Sequence, residues 1–128
     1  MKTIKVGAAV IIDSSRIFIA QRGYGEFKGG WEFPGGKVEP NEKSNQTVIR
    51  EIKEELNANI QVDSFLGCIE YDYPTFHISM DAYLCHLLKD SMELKEHEAA
   101  KWVSLNELMT CPLLPADQLI ASLLLNNK

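Results

Sequence analysis

The chain has 128 residues, 45% hydrophobic and 24% charged, which is ordinary globular usage and predicts a single domain, 1–128, with a real core. A formal net charge of −5 and a pI near 5.2 exclude sequence-independent binding to a nucleic-acid polymer, which needs a basic face. The longest apolar run, GAAVII from Gly7 to Ile12, is far too short to span a bilayer, and no apolar leader with a cleavage site opens the sequence, so a cytoplasmic protein without membrane contact is expected.

Residues 3–12, TIKVGAAVII, are β-branched and apolar, and 17–21, IFIAQ, follow the turn-like DSSR; together they predict a hairpin. Arg22 closes its second strand, and the loop after it, GYGEFKGG, is glycine-rich enough to admit a ligand. Trp31, Glu32 and Phe33 read as a short strand feeding a tight turn at Pro34, Gly35 and Gly36, where backbone can approach a ligand. A helix follows, with Ser44 as its expected N-cap and Pro40 and Asn41 in the turn before it. Within it, VIREIKEEL places Val48, Ile49, Ile52 and Leu56 on one stripe and Glu51, Glu54 and Glu55 on a separate exposed face.

Residues 60–73 and 76–88 alternate as an antiparallel pair about Pro74 and Thr75. KDSMELKEHEAAK is polar and loop-like, AKWVS is a strand, and Ser104 with Glu107 forms a capping box on a short helix. Pro112 and Pro115 end that helix, and ADQLIASLLLNN is an amphipathic last one. His77 and His86 lack ligand spacing and read as structural, while HEAAK at His97 lacks the second histidine of a zinc helix. Cys68, Cys85 and Cys111 form a scattered set with no CxxC pair, the pattern of buried thiols in a reducing compartment.

Three carboxylates on one helix face repel by a few tenths of a kcal/mol per pair, a penalty that a cation would remove. Carboxylate oxygens suit Mg2+ or Mn2+, and Mg2+ usually completes its octahedron with water and substrate phosphate. Taken alone, EIKEE would also suit a solvated face with Arg50 and Lys53 as partners. The preceding loop argues for the metal. The spacing runs Gly36, five residues, Glu42, seven residues, Arg50-Glu51-Ile52, one residue, Glu54-Glu55, one residue, Asn57-Ala58. In this register the chain closely resembles the Nudix hydrolase family, whose signature places Gly, Glu, Arg-Glu, an aliphatic and Glu-Glu at those positions. Asn57 replaces the signature's second Gly at a helix end where the left-handed conformation is expected, which Asn tolerates. Ala58 is a small version of the aliphatic that follows it.

The resemblance implies an α/β (α+β) fold, the Nudix α/β/α sandwich around a mixed sheet. It implies Mg2+, with Mn2+ possible, held by the Gly35 carbonyl, Glu51, Glu54, Glu55 and, from a loop outside the signature, Glu96, with Glu98 close enough to be confused with it. It further implies that Arg22 reaches substrate phosphate; by their own chemistry Lys37 can also neutralise phosphate oxygens, and Arg50 can pair with a signature glutamate and fix its rotamer. Asp117 either hydrogen-bonds the base or caps the last helix, and Tyr73, Phe76 and Phe27 either stack a base or pack the hairpin. The general base stays open among Glu51, Glu54 and Glu55, with Glu98 as an outside candidate. For MutT-type members the resemblance implies attack on the β-phosphorus of a nucleoside triphosphate, giving a monophosphate and pyrophosphate. The first expectation is 8-oxo-dGTP or another modified nucleotide, although Phe76 stands where such enzymes often carry a basic residue. The alternatives are CTP, dCTP or a 5-substituted cytidine nucleotide, and a module that binds a nucleotide without cleaving it. Monomer and homodimer are equally compatible with the sequence.

Overall fold

Along strand β1 (Lys2–Asp13) the alternation of side chains sends Ala8 and Val10 to one face and Ala9 and Ile11 to the other, and all four are buried. The strand is therefore covered on both sides, and a layer must lie over each. The structure, a computed structural model, describes all residues except 24, 89–91, 94–96 and 127–128, together with the side chain of Glu98.

β1 pairs in parallel with β6 (Phe76–Leu87) along one edge, from Lys2 opposite Phe76 to Ile11 opposite Cys85. Its other edge is shared: β4 (Gly35–Lys37) takes the segment Val6–Ala8, and β2 (Arg16–Arg22) takes the end. β5 (Ile60–Tyr73) flanks β6 antiparallel, while β3 (Trp31–Glu32) and β7 (His97–Val103) flank β2. Among the described residues the result is a mixed sheet of seven strands. On one face α1 (Ser44–Leu56) packs Val48, Ile52 and Leu56 against Ala9, Ile11, Phe18 and Cys85. On the other, Leu108 of α2 (Leu105–Leu108) and Ala116, Ile120 and Ala121 of α3 (Pro115–Asn126) pack against Val10, Ile19, Met80 and Ala82. This is the α/β/α sandwich that the resemblance implied. Among the described residues, no helix is long and apolar enough to cross a membrane.

Several local expectations hold for local reasons. DSSR closes the β1–β2 hairpin with Asp13 opposite Arg16, so Ser14 and Ser15 form the loop, both at positive φ (51° and 66°); positive φ at both loop residues matches the right-handed twist of the strands. Asn57 ends α1 at φ 50°, ψ 39°, the left-handed site at which the signature has Gly. Ser104 and Glu107 cap each other.

Others are corrected. The N-cap of α1 is Lys43, whose N–H donates to Gln46 Oε1 at 2.9 Å. Ser44 is the first helical residue, and its hydroxyl instead reaches Asp81 (2.7 Å) and Tyr83 (2.6 Å) on β6. Ile49 is not in the buried stripe. It is 45% exposed, whereas Glu55 is only 6% exposed, because the helix rolls toward β4 and brings Glu55, on the opposite margin of the stripe, inward. Pro34-Gly35-Gly36 does not make a tight turn; Gly35 and Gly36 are strand residues paired with Ala8 and Gly7. At Gly35 glycine is required for space, since a Cβ would collide with the Gly7 carbonyl oxygen, while a Cβ on Gly36 would displace the Glu51 carboxylate. β7 begins at His97 rather than near Ala100, since pairing with β2 extends it into sequence of loop composition. Of the three thiols only Cys85 is buried, and Cys68 is exposed.

Candidate active site

Between β1, β4, β6, α1 and the start of α3 lies a cavity of about 380 Å³. Its chemistry is divided. Gly35, Gly36, Lys37, Glu51 and Glu55 form an acidic wall backed by strand, and Phe27, Tyr73, Phe76, Ile78 and Leu114 form an aromatic and aliphatic one. Arg22, Glu32, His97, Phe33 and Asp117 lie on the same lining.

The acidic wall is organised by Arg50. Its Nε and Nη2 donate to the two oxygens of Glu42 at 2.7 and 3.0 Å, its Nη1 reaches Glu51 and Glu54 at 3.3 Å, and Nη2 also donates to the Lys37 carbonyl at 3.0 Å. The buried Thr47 hydroxyl donates to Glu42 at 2.7 Å. The Arg50 guanidinium, followed by the Thr47 hydroxyl, holds the Glu42 carboxyl down at about 2, and Glu42 in turn raises the Arg50 pKa above its ordinary value. A fork of this kind fixes both planes. Glu42 therefore anchors Arg50, and Arg50 orients Glu51.

The three signature glutamates do not form one exposed patch. Glu51 and Glu55 turn into the cavity, while the Glu54 side chain is 58% exposed and held by Arg50 from outside. Among the described residues, no three His, Cys, Asp or Glu side chains converge as a metal cage. The residues present nonetheless fit Mg2+ or Mn2+. Two carboxylates and strand backbone are hard oxygen donors, and Mg2+ is commonly bound through one or two carboxylates with water and phosphate completing the shell. The absent Cβ of Gly36 is what lets the Glu51 carboxylate lie against the strand. Glu96 and the side chain of Glu98 lie outside the described residues.

Arg22 lines the cavity with its Nη1 donating to Glu32 Oε1 at 3.1 Å, and Glu32 Oε2 lies 3.2 Å from His97 Nε2, a ring that is only 4% exposed. Asp117 is the third residue of α3 and not its N-cap. Its Oδ1 accepts the Phe33 N–H at 3.0 Å across the cavity floor, and the side chain is buried. Burial first, and then the nearby Glu32 charge, push its pKa up to about 8. Tyr73 accepts the Ala116 N–H on its hydroxyl at 3.1 Å and stacks on Phe76, with ring centroids 5.1 Å apart; Phe27 closes over Tyr73 at 4.9 Å. Tyr73 is 7% exposed and belongs mainly to the core, so the half-buried Phe76 is the ring with a face to offer.

The structure thus brings Arg22, Gly35, Lys37, Glu51, Glu55, Tyr73, Phe76 and Asp117 to one cavity, with Arg50 and Glu54 behind its wall. Sequence reasoning missed Glu32 and His97. An acidic residue between Trp31 and Phe33 in a strand was the available signal for Glu32; the loop composition around His97 concealed the other.

The NUDIX domain family model matches residues 1–124. The chain is 36% identical over 118 residues to the CTP pyrophosphohydrolase of Escherichia coli (strain K12), covering 91% of this chain and 87% of that protein. It is also 36% identical over 97 residues to the 8-oxo-dGTP diphosphatase of Proteus vulgaris, covering 74% and 87%. Among solved structures it resembles the E. coli ORF135 protein, with a TM-score of 0.85 and 33% identity over 98% of this chain and 91% of that one.

Proposed function

Because the chain belongs to the Nudix family and is a Nudix hydrolase, we propose that it cleaves a nucleoside or deoxynucleoside triphosphate to the monophosphate and pyrophosphate, with Mg2+. The observation that carries this reading is the divided cavity, in which an acidic, glycine-backed wall and an aromatic shelf with a buried Asp117 share one space. A phosphate chain and a base can be held there together.

Lys37 and Arg22 are the cations on the lining, placed to neutralise phosphate oxygens. Arg50 keeps the Glu51 carboxylate in one orientation, so no rotamer search precedes reaction. Glu51, Glu55 and the Gly35 carbonyl would hold Mg2+, with Glu54 joined to them through Arg50. When bound, Mg2+ supplies charge neutralisation at the phosphoryl group and a lowered pKa for water. Water attacks the β-phosphorus, the bond from that phosphorus to the α,β-bridging oxygen breaks, and the monophosphate leaves. The water's proton passes to a carboxylate of the acidic wall.

The substrate proposed first is 8-oxo-dGTP or a similar modified nucleotide, whose removal cleans the nucleotide pool. A guanine edge offers two N–H donors to ionised Asp117, and a carbonyl with one N–H to its neutral form, so recognition persists on both sides of pH 8. A second reading, a cytidine triphosphate, is favoured by one observation. Below about pH 8 Asp117 carries a proton and can donate to cytosine N3 while accepting from N4, and Phe76 offers no donor to an oxidised purine's carbonyl. Hydrolysis in oxygen-isotope-labelled water tests the reaction: label in pyrophosphate supports attack at the β-phosphorus, and label in the monophosphate overturns it. A rise of KM above pH 8 that Asp117→Asn removes then marks cytosine recognition, and a pH dependence of KM that Asp117→Asn leaves unchanged marks guanine. Absence of any turnover with Mg2+ or Mn2+ would leave a nucleotide-binding module.

A further inference from the structure

The β5–β6 hairpin has two faces. On the inner one Tyr73 and Phe76, paired across the strands, reach the cavity. On the outer one Glu70, Asp72, His77 and Ser79 alternate with them, Asp72 directly opposite His77 and Glu70 opposite Ser79. The His77 ring lies between two carboxylates, with Nδ1 2.6 Å from Asp72 and Nε2 2.6 Å from Glu70. Ser79 Oγ donates to the second oxygen of Glu70 at 2.8 Å, and the Cys68 thiol donates to it at 3.2 Å. A neutral imidazole has one N–H, so only the imidazolium can donate to both carboxylates. We propose that His77 is a substrate-positioning residue: its bridge from Glu70 to Asp72 locks the hairpin tip that carries Tyr73 and Phe76, and thereby sets the affinity for the nucleobase. The inference rests on the nucleotide reading above.

The lock acts where the aromatic shelf is least constrained. Tyr73 has a second anchor in the Ala116 N–H, whereas Phe76 sits just past the Pro74-Thr75 turn at the end of the β1–β6 ladder, opposite Lys2, and is held by that terminal pair, by its pairing with Tyr73 and by the rings of Tyr73 and Phe27. The groups facing His77 are Glu70 and Asp72 of β5, with Cys68 and Asp81 further along, and Thr3 and Lys5 of β1, whose register places them beside His77 and Ser79. The two carboxylates raise the His77 pKa, and His77 holds Glu70 down at about 2. The sign follows from those directions. The bridge needs the charged ring, and it is lost as pH rises through the raised His77 value. Once the ring is neutral, one carboxylate loses its donor and the two acidic side chains repel across the tip. The phosphate end of the cavity, on β4 and α1, does not feel this change.

The test measures kcat and KM against pH for the preferred nucleoside triphosphate and for a ribose triphosphate lacking a base, in the native enzyme, H77Q and H77R. H77Q is expected to raise KM for the nucleotide about threefold, the scale of an exposed ion-pair cluster, with kcat and the baseless substrate unchanged. H77R, which keeps a charge able to bridge both carboxylates, is expected to restore the low KM and to remove the alkaline rise owed to His77; any rise owed to Asp117 stays in both variants. Equal KM values in all three proteins, with turnover intact, overturn the proposal. NMR titration of the nucleotide-free native protein supplies a reading that needs no turnover: Phe76 ring shifts that follow the His77 titration support the lock, and shifts that ignore it overturn it. Failure to turn over any triphosphate sinks the function while leaving that titration decisive for the lock.

Discussion

Glu42 and Asp117 are both carboxylates of the site region, and their environments drive them in opposite directions. Glu42 meets the Arg50 fork and the Thr47 hydroxyl and is held down at about 2. Asp117 is buried, has a backbone N–H for a partner and a negative neighbour in Glu32, and rises to about 8. The first stays ionised above about pH 2, which makes it a fixed strut for Arg50 and through it for Glu51. The second carries a proton at neutral pH and can change state within a physiological range, which suits a group that reads a base edge. Placement, rather than residue type, divides the two roles.

The comparison breaks most visibly on the acidic wall. Glu51→Gln keeps the shape of the side chain and removes its charge, so kcat is expected to fall at least about a hundredfold with the fold intact by circular dichroism; near-native turnover would remove Glu51 from the reaction. Asp117→Asn sharpens the other side. The native group has a raised folded pKa, so between about pH 4 and 8 the unfolded chain has released a proton that the folded one retains, and stability falls as pH rises through that window. Asn can still accept from the Phe33 N–H but has no proton to lose, so its denaturation free energy is expected to lack this descending contribution and to exceed the native one near pH 8 by on the order of a few kcal/mol. A parallel slope in both proteins would mean that Asp117 is not the titrating group. Arg50→Ala tests whether the strut acts through Arg50: kcat should drop by roughly ten- to a hundredfold, with little change in KM for the base. The smallest effect is at the margin of α1. Ile49→Ala should shift stability by less than about 0.5 kcal/mol, while Ile52→Ala, at a fully buried position, should cost about 2–5 kcal/mol, both by denaturant melts.

The same contrast explains what the sequence disclosed. The acidic wall was legible because its residues lie within one stretch, Gly36 to Ala58, where spacing on a loop and helix fixes their relation. What spacing could not supply was the roll of the helix about its own axis. That roll decides that Glu55 rather than Ile49 is buried, and it depends on β4 fitting against β1 without side chains at Gly35 and Gly36. The Asp117 side of the cavity draws on β3, β6, β7 and α3, elements far apart in sequence. Asp117 was named through a family pattern and Tyr73 and Phe76 as aromatic rings, but the Phe33 N–H on Asp117 arises only where the start of α3 meets the end of β3, and the Glu32–His97 contact only from the pairing of β3 and β7 with β2. Propensity indicated a β-rich hairpin from 60 to 88, and the Glu70–His77–Asp72 bridge follows only from its register.

The most direct test of the account is a comparison of kcat/KM for 8-oxo-dGTP, dGTP, CTP, dCTP, 5-methyl-dCTP and ADP-ribose, each with Mg2+ and with Mg2+ chelated. The account predicts Mg2+-dependent pyrophosphate release with one triphosphate base class preferred by about a hundredfold, equivalent to roughly 2.7 kcal/mol of discrimination at the Asp117 end. Turnover that survives chelation, or ADP-ribose as the preferred substrate, would contradict it.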